Sequence, residues 1–174
     1  MMTRMPDRIA AVVEHLRASG VPFAVVGAAA MSTRGFPRQT LDLDILTTDR
    51  SVLDEEFWGP FSGSVDVRRG DADDPLLGVI RFRDPEIDVI VGRHRWQSDA
   101  VSRAEEMTIG EQRLPVVTLG DLMLLKLDAG GYRDAADVKM MLSAASEADV
   151  DHLTRLLPQL DERARRLWNE IRAS

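Results

Sequence analysis

One stretch of 24 residues, FAVVGAAAMSTRGFPRQTLDLDIL at positions 23–46, constrains the fold of this chain more than any other. Residues 23–26 form an apolar run that is too short for a helix and ends at Gly27, a pattern typical of a buried strand. Residues 28–34 have helical composition, Gly35 and Pro37 end that helix, and residues 41–46 alternate as a second strand. The stretch therefore predicts strand, glycine turn, helix and strand in close succession.

Two aspartates alternate with apolar residues on the second of these strands. Asp42 and Asp44 are two residues apart, so their side chains share one face and their backbones lie roughly 7 Å apart. Leu41, Leu43 and Ile45 point to the other face. Both carboxylates can therefore reach one cation, and the strand has one apolar and one anionic face.

A third carboxylate occurs in a later apolar segment, PEIDVIVG, where Asp88 follows Ile87. A lone acid inside such a strand costs several kcal/mol if it is buried without a partner. Asp88 is therefore predicted either to face solvent at a sheet edge or to contact a cation. Three oxygen ligands suit Mg²⁺, which proteins usually share with substrate phosphates, and such a set can orient an oxygen for in-line attack at phosphorus.

The glycine turn adds a candidate phosphate site. Gly27 precedes a helix, and a helix N-terminus presents free N–H groups and the positive end of a dipole to an anion. Any tight strand-to-helix turn also favours glycine. Gly27 therefore indicates a phosphate site only in combination with the nearby aspartates.

Composition limits the remaining possibilities. The 174 residues are 44% hydrophobic and 29% charged, which predicts a single soluble domain with its own core. The sequence contains no cysteine, which excludes disulfides, thiolate metal sites and cysteine nucleophiles. The net charge of −7 argues against a general nucleic-acid coat but not against RNA held by a local patch. No apolar run approaches the ~20 residues of a membrane span, and no signal pattern is present, so we expect a cytoplasmic protein without a membrane partner.

Periodicity predicts the other elements. Residues from Ile9 to Leu16 recur at helical spacing and are followed by Gly20, which predicts a first amphipathic helix. From Thr118 onwards the pattern is helical only, with Thr118 as an N-cap. The other predicted elements are a short helix at 51–57, strands at 64–67, 77–82 and 87–91, a hairpin at 108–117 around Gly110 and Glu111, a helix at 134–144, and two helical segments separated by Pro158.

Charged residues outside these strands have competing interpretations. Lys126 lies on a largely apolar helix, where a lysine either extends to water or pairs with an acid. Asp137 on the next predicted helix could accept its ammonium group. Residues 93–95, Arg-His-Arg, fit a solvated strand exit better than a polyanion site. His15 and His152 show no partner pattern and are predicted to be surface residues.

The motifs together resemble those of a known superfamily. Gly27-Ala28, Arg34-Gly35, Arg38, Thr40 and Asp42-x-Asp44 are similar to the signature of the nucleotidyltransferases that include DNA polymerase β. The Arg-x-Thr-x-Asp-x-Asp form at 38–44, with LMLLKLDA at 122–129 and YRDAADV at 132–138, looks like the AbiEii toxin-like branch. The resemblance covers roughly residues 23–142.

The resemblance implies an α+β nucleotidyltransferase fold: a mixed sheet flanked by helices in residues 1–117, and a helical part in 118–174 packed on this core as one compact domain. It also implies transfer of a nucleoside monophosphate from an NTP to a tRNA or protein hydroxyl, by the toxin of a toxin-antitoxin system with a possible antitoxin partner. Mg²⁺ or Mn²⁺ is the implied cofactor.

The resemblance also assigns the site residues. The implied metal ligands are Asp42 and Asp44, with Asp88 completing the site or acting as base, and Lys126 and Asp137 also serve catalysis. The implied nucleotide-binding residues are Gly27, Ala28, Arg38 and Thr40.

One position departs from the family pattern. Residue 28 is alanine where the family usually has glycine or serine, so the backbone N–H is kept and a serine hydroxyl is lost. Two alternative functions therefore stay open: a nucleotidyltransferase that modifies a small molecule such as an antibiotic, and a binding module that keeps the fold without catalysis.

Overall fold

A computed structural model describes residues 5–39 and 42–174 of the chain. These residues belong to two compact units, Met1–Val117 and Thr118–Ser174. The first unit contains the whole sheet, and the second contains helices.

The first unit is built on a seven-stranded mixed sheet with the strand order β3-β4-β5-β2-β1-β7-β6. β2 and β5 run parallel, as do β1 and β7, while the remaining neighbours are antiparallel. This mixed sheet with flanking helices confirms the predicted α+β class. The strands are β1 Ala24–Val26, β2 Leu43–Thr47, β3 Val65–Arg69, β4 Leu76–Phe82, β5 Ile87–Gly92, β6 Glu105–Ile109 and β7 Gln112–Val116.

Strand alternation divides the central sheet into an apolar and a polar face. On β2, Leu43 and Ile45 are buried while Asp44 between them is half-buried. On β5, Ile87 and Val89 are fully buried around a half-buried Asp88. Since alternate residues face opposite sides, both aspartates lie on the same polar face.

Among the described residues of this unit, three α-helices are present: α1 Met5–Ala18, α2 Gly27–Thr33 and α3 Arg95–Ser102. The first two are the predicted helices, within about two residues at their ends. The third was not predicted. Residues 93–95 do form the exit of β5, with His94 and Arg95 exposed and Arg93 half-buried. The helix starts at Arg95 because the Gln97 side chain accepts a hydrogen bond from the backbone N–H of His94 at 2.8 Å, and Trp96 is buried.

An aromatic cluster on the apolar face corrects the prediction for His15. Its Nε2 lies 2.7 Å from the carbonyl oxygen of Phe57, and its ring lies 4.7 Å from the Phe57 ring. In the same cluster, the ring centre of Trp58 lies 5.2 Å from that of Phe82 on β4. The predicted short helix at 51–57 consists of two 3-10 helices, Arg50–Leu53 and Glu55–Phe61.

The second unit contains four helices. The predicted cap is confirmed, because Thr118 Oγ1 accepts a hydrogen bond from the backbone N–H of Asp121 at 3.3 Å. The buried Asp121 carboxylate also lies 2.8 Å from His152 Nε2, so His152 is not a simple surface residue. The helices are α4 Leu119–Ala129, α5 Tyr132–Leu142, α6 Glu147–Leu156 and α7 Glu162–Ala173, with Pro158 between the last two.

The start of α5 differs from the predicted residue 134 for a local reason. The Asp134 side chain accepts a hydrogen bond from the backbone N–H of Gly131 at 3.0 Å. Gly131 is therefore the N-cap, and Asp134 occupies the third helical position instead of the first. Within residues 5–39 and 42–174, no helix combines the length and the apolar composition that a membrane crossing requires.

The Thr118 cap gives a first testable prediction. Replacing Thr118 with alanine removes the acceptor of the Asp121 N–H and a hydrogen bond to the buried Asp121 carboxylate. We expect Thr118→Ala to lower the free energy of unfolding in urea by about 1 kcal/mol. Thr154→Ala is the matched control, because Thr154 is exposed and bonds only a carbonyl of its own helix. Equal stability of the two variants would contradict the capping role.

Candidate functional site

The site lies where α2 begins next to two neighbouring strands. Val26, the last residue of β1, pairs with Asp44 of β2, and Asp44 pairs with Asp88 of β5. The predicted neighbourhood of Gly27, Asp44 and Asp88 is therefore present in the sheet, because consecutive pairing places all three next to one another.

Gly27 is required by its geometry. Its φ of +67° lies in the left-handed region, and a Cβ atom added there would overlap the carboxylate of Asp44. The turn thus brings the first backbone N–H groups of α2 against the acidic strand. Ala28 follows in the first turn of this helix.

Asp88 contacts a cation, as one of the two sequence interpretations required. The guanidinium of Arg81 donates from Nε to Asp88 Oδ1 and from Nη2 to Oδ2, each at 2.9 Å. Arg81 is the direct partner of Asp88 across the antiparallel pair of β4 and β5. The hydrogen bonds to Asp88 and its negative charge raise the pKa of Arg81 above its ordinary value, so this side chain stays charged.

Arg81 is a charged neighbour of the candidate site that was not predicted from the sequence. A signal for it was present, since Arg81 interrupts the apolar strand LLGVIRF just as Asp88 interrupts the next one. The two residues stand on either side of a short turn, where pairing of Phe82 with Ile87 places them opposite each other.

Asp42 and Arg38 lie together at a cleft beside α2. Asp42 is exposed and Arg38 is half-buried, and both line a cleft of about 370 Å³ together with Ala29 and Thr33 of α2. The nucleotide-binding roles of Arg38, Gly27 and Ala28 stay predictions. Thr40, which was assigned with them, lies outside the described residues.

The predicted pairing of Lys126 with Asp137 is confirmed. Within the helical unit, Lys126 Nζ lies 3.0 Å from Asp137 Oδ2 and 2.9 Å from Asp134 Oδ1. Burial alone would lower the pKa of Lys126, but the hydrogen bonds and charges of the two aspartates outweigh it and raise this pKa. Lys126 is therefore a firmly positioned ammonium group.

The metal prediction can be tested against the donors present. Asp44 on β2 and Asp42, which lies just before this strand and not on it as predicted, offer the hard oxygen atoms that Mg²⁺ prefers. Among residues 5–39 and 42–174, however, no three acidic or histidine side chains are grouped closely enough to hold an ion. Asp42 and Asp44 have the oxygen donors that a divalent cation prefers, while both oxygens of Asp88 contact Arg81.

Known structures share this architecture. A candidate nucleotidyltransferase from Thermotoga maritima superposes with a TM-score of 0.53 at 16% identity, over 82% of this chain and 96% of its own. The antibiotic-resistance factor ANT(2'')-Ia gives a TM-score of 0.60 at 10% identity, over 95% and 96%. The chain has the nucleotidyltransferase fold.

A second structure of ANT(2'')-Ia contains adenylyl-2''-tobramycin and superposes with a TM-score of 0.51 at 11% identity, over 95% of both chains. No protein-family model and no curated protein matches the sequence. At these identities the likeness concerns the fold alone.

The close approach of Gly27 to Asp44 gives a second prediction. Alanine at position 27 meets both an unfavourable φ and the Asp44 carboxylate. Gly20 has a similar φ of +69° but nothing within 4 Å of an added Cβ, so Gly20→Ala measures the backbone cost alone. We expect Gly20→Ala to cost about 1 kcal/mol and Gly27→Ala about 1–2 kcal/mol more in chemical denaturation. Equal costs would show that Asp44 moves away freely.

The Lys126 pairs give a third prediction, on pH. A raised pKa in the folded chain means that the stabilisation by Lys126 is complete below its ordinary pKa of 10.5 and is lost as the pH rises through the folded value. We expect Lys126→Met to lower the free energy of unfolding by about 3 kcal/mol near neutral pH, because Asp137 loses its partner. This difference from the wild type should shrink as the pH rises beyond 10.5 and through the raised pKa of Lys126.

Lys139→Met controls for loss of positive charge, since Lys139 is the chain's other lysine and is exposed. A Lys126 effect that does not change between neutral and alkaline pH would exclude the ion pairs as its cause.

Proposed function

We propose that this protein is a divalent-metal-dependent nucleotidyltransferase, which transfers a nucleoside monophosphate from an NTP to an acceptor hydroxyl and releases pyrophosphate. The observation that carries the proposal is the contact geometry of Gly27, Asp44 and Asp88. A helix start and two neighbouring carboxylates meet there, within a fold that known nucleotidyltransferases share.

In this proposal Asp42 and Asp44 hold Mg²⁺ or Mn²⁺. The ion supplies positive charge for the phosphate oxygens of the NTP, which carry growing negative charge as the transfer proceeds. Asp44 lies on β2, a central strand, so the backbone holds it in place, and Asp42 directly precedes this strand.

The bond changes are those of an in-line displacement. The acceptor oxygen forms a bond to the α-phosphorus, and the bond from that phosphorus to the leaving pyrophosphate oxygen breaks. The hydroxyl proton passes to Asp88, since a carboxylate offers about four lone-pair positions and Arg81 uses one on each oxygen.

The other residues bind and orient the nucleotide. The backbone N–H groups at Gly27 and Ala28 face the phosphates, and Arg38 and Thr40 contribute a guanidinium and a hydroxyl group. Catalytic roles for Lys126, and for Asp137 as the residue that orients it, belong to the same proposal. The ion pair between Lys126 and Asp137 supports the orienting part of this assignment.

The acceptor in this proposal is a tRNA or protein hydroxyl, and the protein acts as an AbiEii-like toxin controlled by an antitoxin. The support is the Arg-x-Thr-x-Asp-x-Asp pattern at 38–44 and the Lys126 and Asp137 segments. An acidic chain of net charge −7 would need a local basic patch to hold RNA.

A labelling experiment tests the enzymatic claim. Purified protein is incubated with Mg²⁺, cell extract and each α-labelled NTP in turn, and transfer of label to RNA or protein is measured. We expect Asp44→Asn to reduce transfer by a factor on the order of a thousand, because several kcal/mol of charge stabilisation is lost. Asp66→Asn, an aspartate on edge strand β3 of the same sheet, should retain activity.

Absence of label transfer by the wild type with every NTP, in a preparation that also fails to bind nucleotide in calorimetry, would favour a non-catalytic binding module instead. A small-molecule acceptor is the second candidate, because ANT(2'')-Ia shares the fold over most of both chains. Drug resistance on expression, without growth inhibition, would select that acceptor.

A further inference from the structure

A row of four charged residues crosses the polar face of the sheet. Asp66 on β3, Arg81 on β4, Asp88 on β5 and Asp44 on β2 are consecutive cross-strand partners. Directly paired residues project to the same face, and neighbouring strands are only ~4.8 Å apart. The order of charges along the row is therefore negative, positive, negative, negative.

The Arg81 side chain is built into this row and is not an incidental surface contact. It forms two parallel hydrogen bonds to Asp88, and the Asp88 side chain is only 19% exposed. Such two-pronged pairs fix the orientation of both groups. Because the backbone pairing of β4 and β5 already places the residues opposite each other, little additional ordering is needed to form the pair.

This pairing conflicts with a metal held by all three predicted aspartates. An ion shared by Asp44 and Asp88 would compete with a guanidinium that already contacts both oxygens of Asp88. No set of three acidic or histidine ligands exists within the part of the chain that the structure describes. Neither Asp42 nor Asp44 is the cross-strand partner of Arg81.

We propose that Arg81 is a positioning residue that takes the place of a second cation at Asp88, so that only one divalent ion binds, at Asp42 and Asp44. The inference rests on the proposed function, because it concerns the metal content of that same site. It departs from the sequence prediction that Asp88 is a metal ligand and keeps its other predicted role, that of base.

Counting bound Mn²⁺ by electron paramagnetic resonance tests the inference without any turnover. The full chain is titrated with Mn²⁺ in the presence of a non-hydrolysable NTP analogue. We expect one Mn²⁺ per wild-type complex, and the same number and unchanged affinity for Asp88→Asn, which retains an oxygen for Arg81. Asp44→Asn should weaken Mn²⁺ binding by at least about tenfold.

Arg81→Gln tests the inference from the opposite side. Without the guanidinium, Asp88 can act as a ligand, so a second Mn²⁺ should bind, and the double variant Arg81→Gln/Asp88→Asn should again bind one. Arg68→Gln is the matched control. Arg68 also pairs with an aspartate, with its Nε 2.9 Å from Asp66 Oδ2, but it has no contact with Asp88.

Two results would overturn the inference. If the wild type binds two Mn²⁺ and Asp88→Asn removes one of them, Asp88 is a metal ligand despite Arg81, while the proposed function stands. If the wild type binds neither Mn²⁺ nor the analogue, the proposed function fails and the inference fails with it. The Asp88→Asn result decides the matter even if Arg81→Gln does not fold.

Discussion

The parallel pairing of β2 with β5 is the interaction on which the rest of the site depends, because it places Asp44 directly opposite Asp88. Like charges in that position repel each other across a sheet. Arg81 on β4 offsets this repulsion because its positive charge contacts Asp88. Gly27 at the start of α2 leaves room for the Asp44 carboxylate. The same constraint explains why three charged residues, Asp44, Arg81 and Asp88, lie inside otherwise apolar strands.

Each of the two units contains a basic side chain that forms ion pairs with aspartates. In the sheet, Arg81 contacts Asp88 across a strand pair, and in the helical unit Lys126 contacts Asp134 and Asp137 across a helix pair. In each case a half-buried cation is held in one orientation by carboxylates. Oriented cations of this kind are what phosphate chemistry requires, which is why both pairs enter the proposed function.

Local patterns in the sequence predicted most of the elements. Phe23 to Leu46 predicted β1, α2 and β2, and Thr118 predicted the start of α4, since glycine turns, caps and alternation are decided within a few residues. The contacts of Arg81 and His15 could not be read in this way. Both depend on which strand or segment lies opposite, and that is a property of the assembled sheet and not of neighbouring residues.

In the proposed function, Asp42 and Asp44 together bind the divalent ion of a nucleotide site. A crystal structure of the protein with Mg²⁺ and a non-hydrolysable NTP analogue tests it most directly. We expect an ion in contact with both carboxylates, phosphate next to Gly27, and an Arg81 side chain still paired with Asp88. An analogue bound elsewhere, or an ion that contacts neither Asp42 nor Asp44, would contradict it.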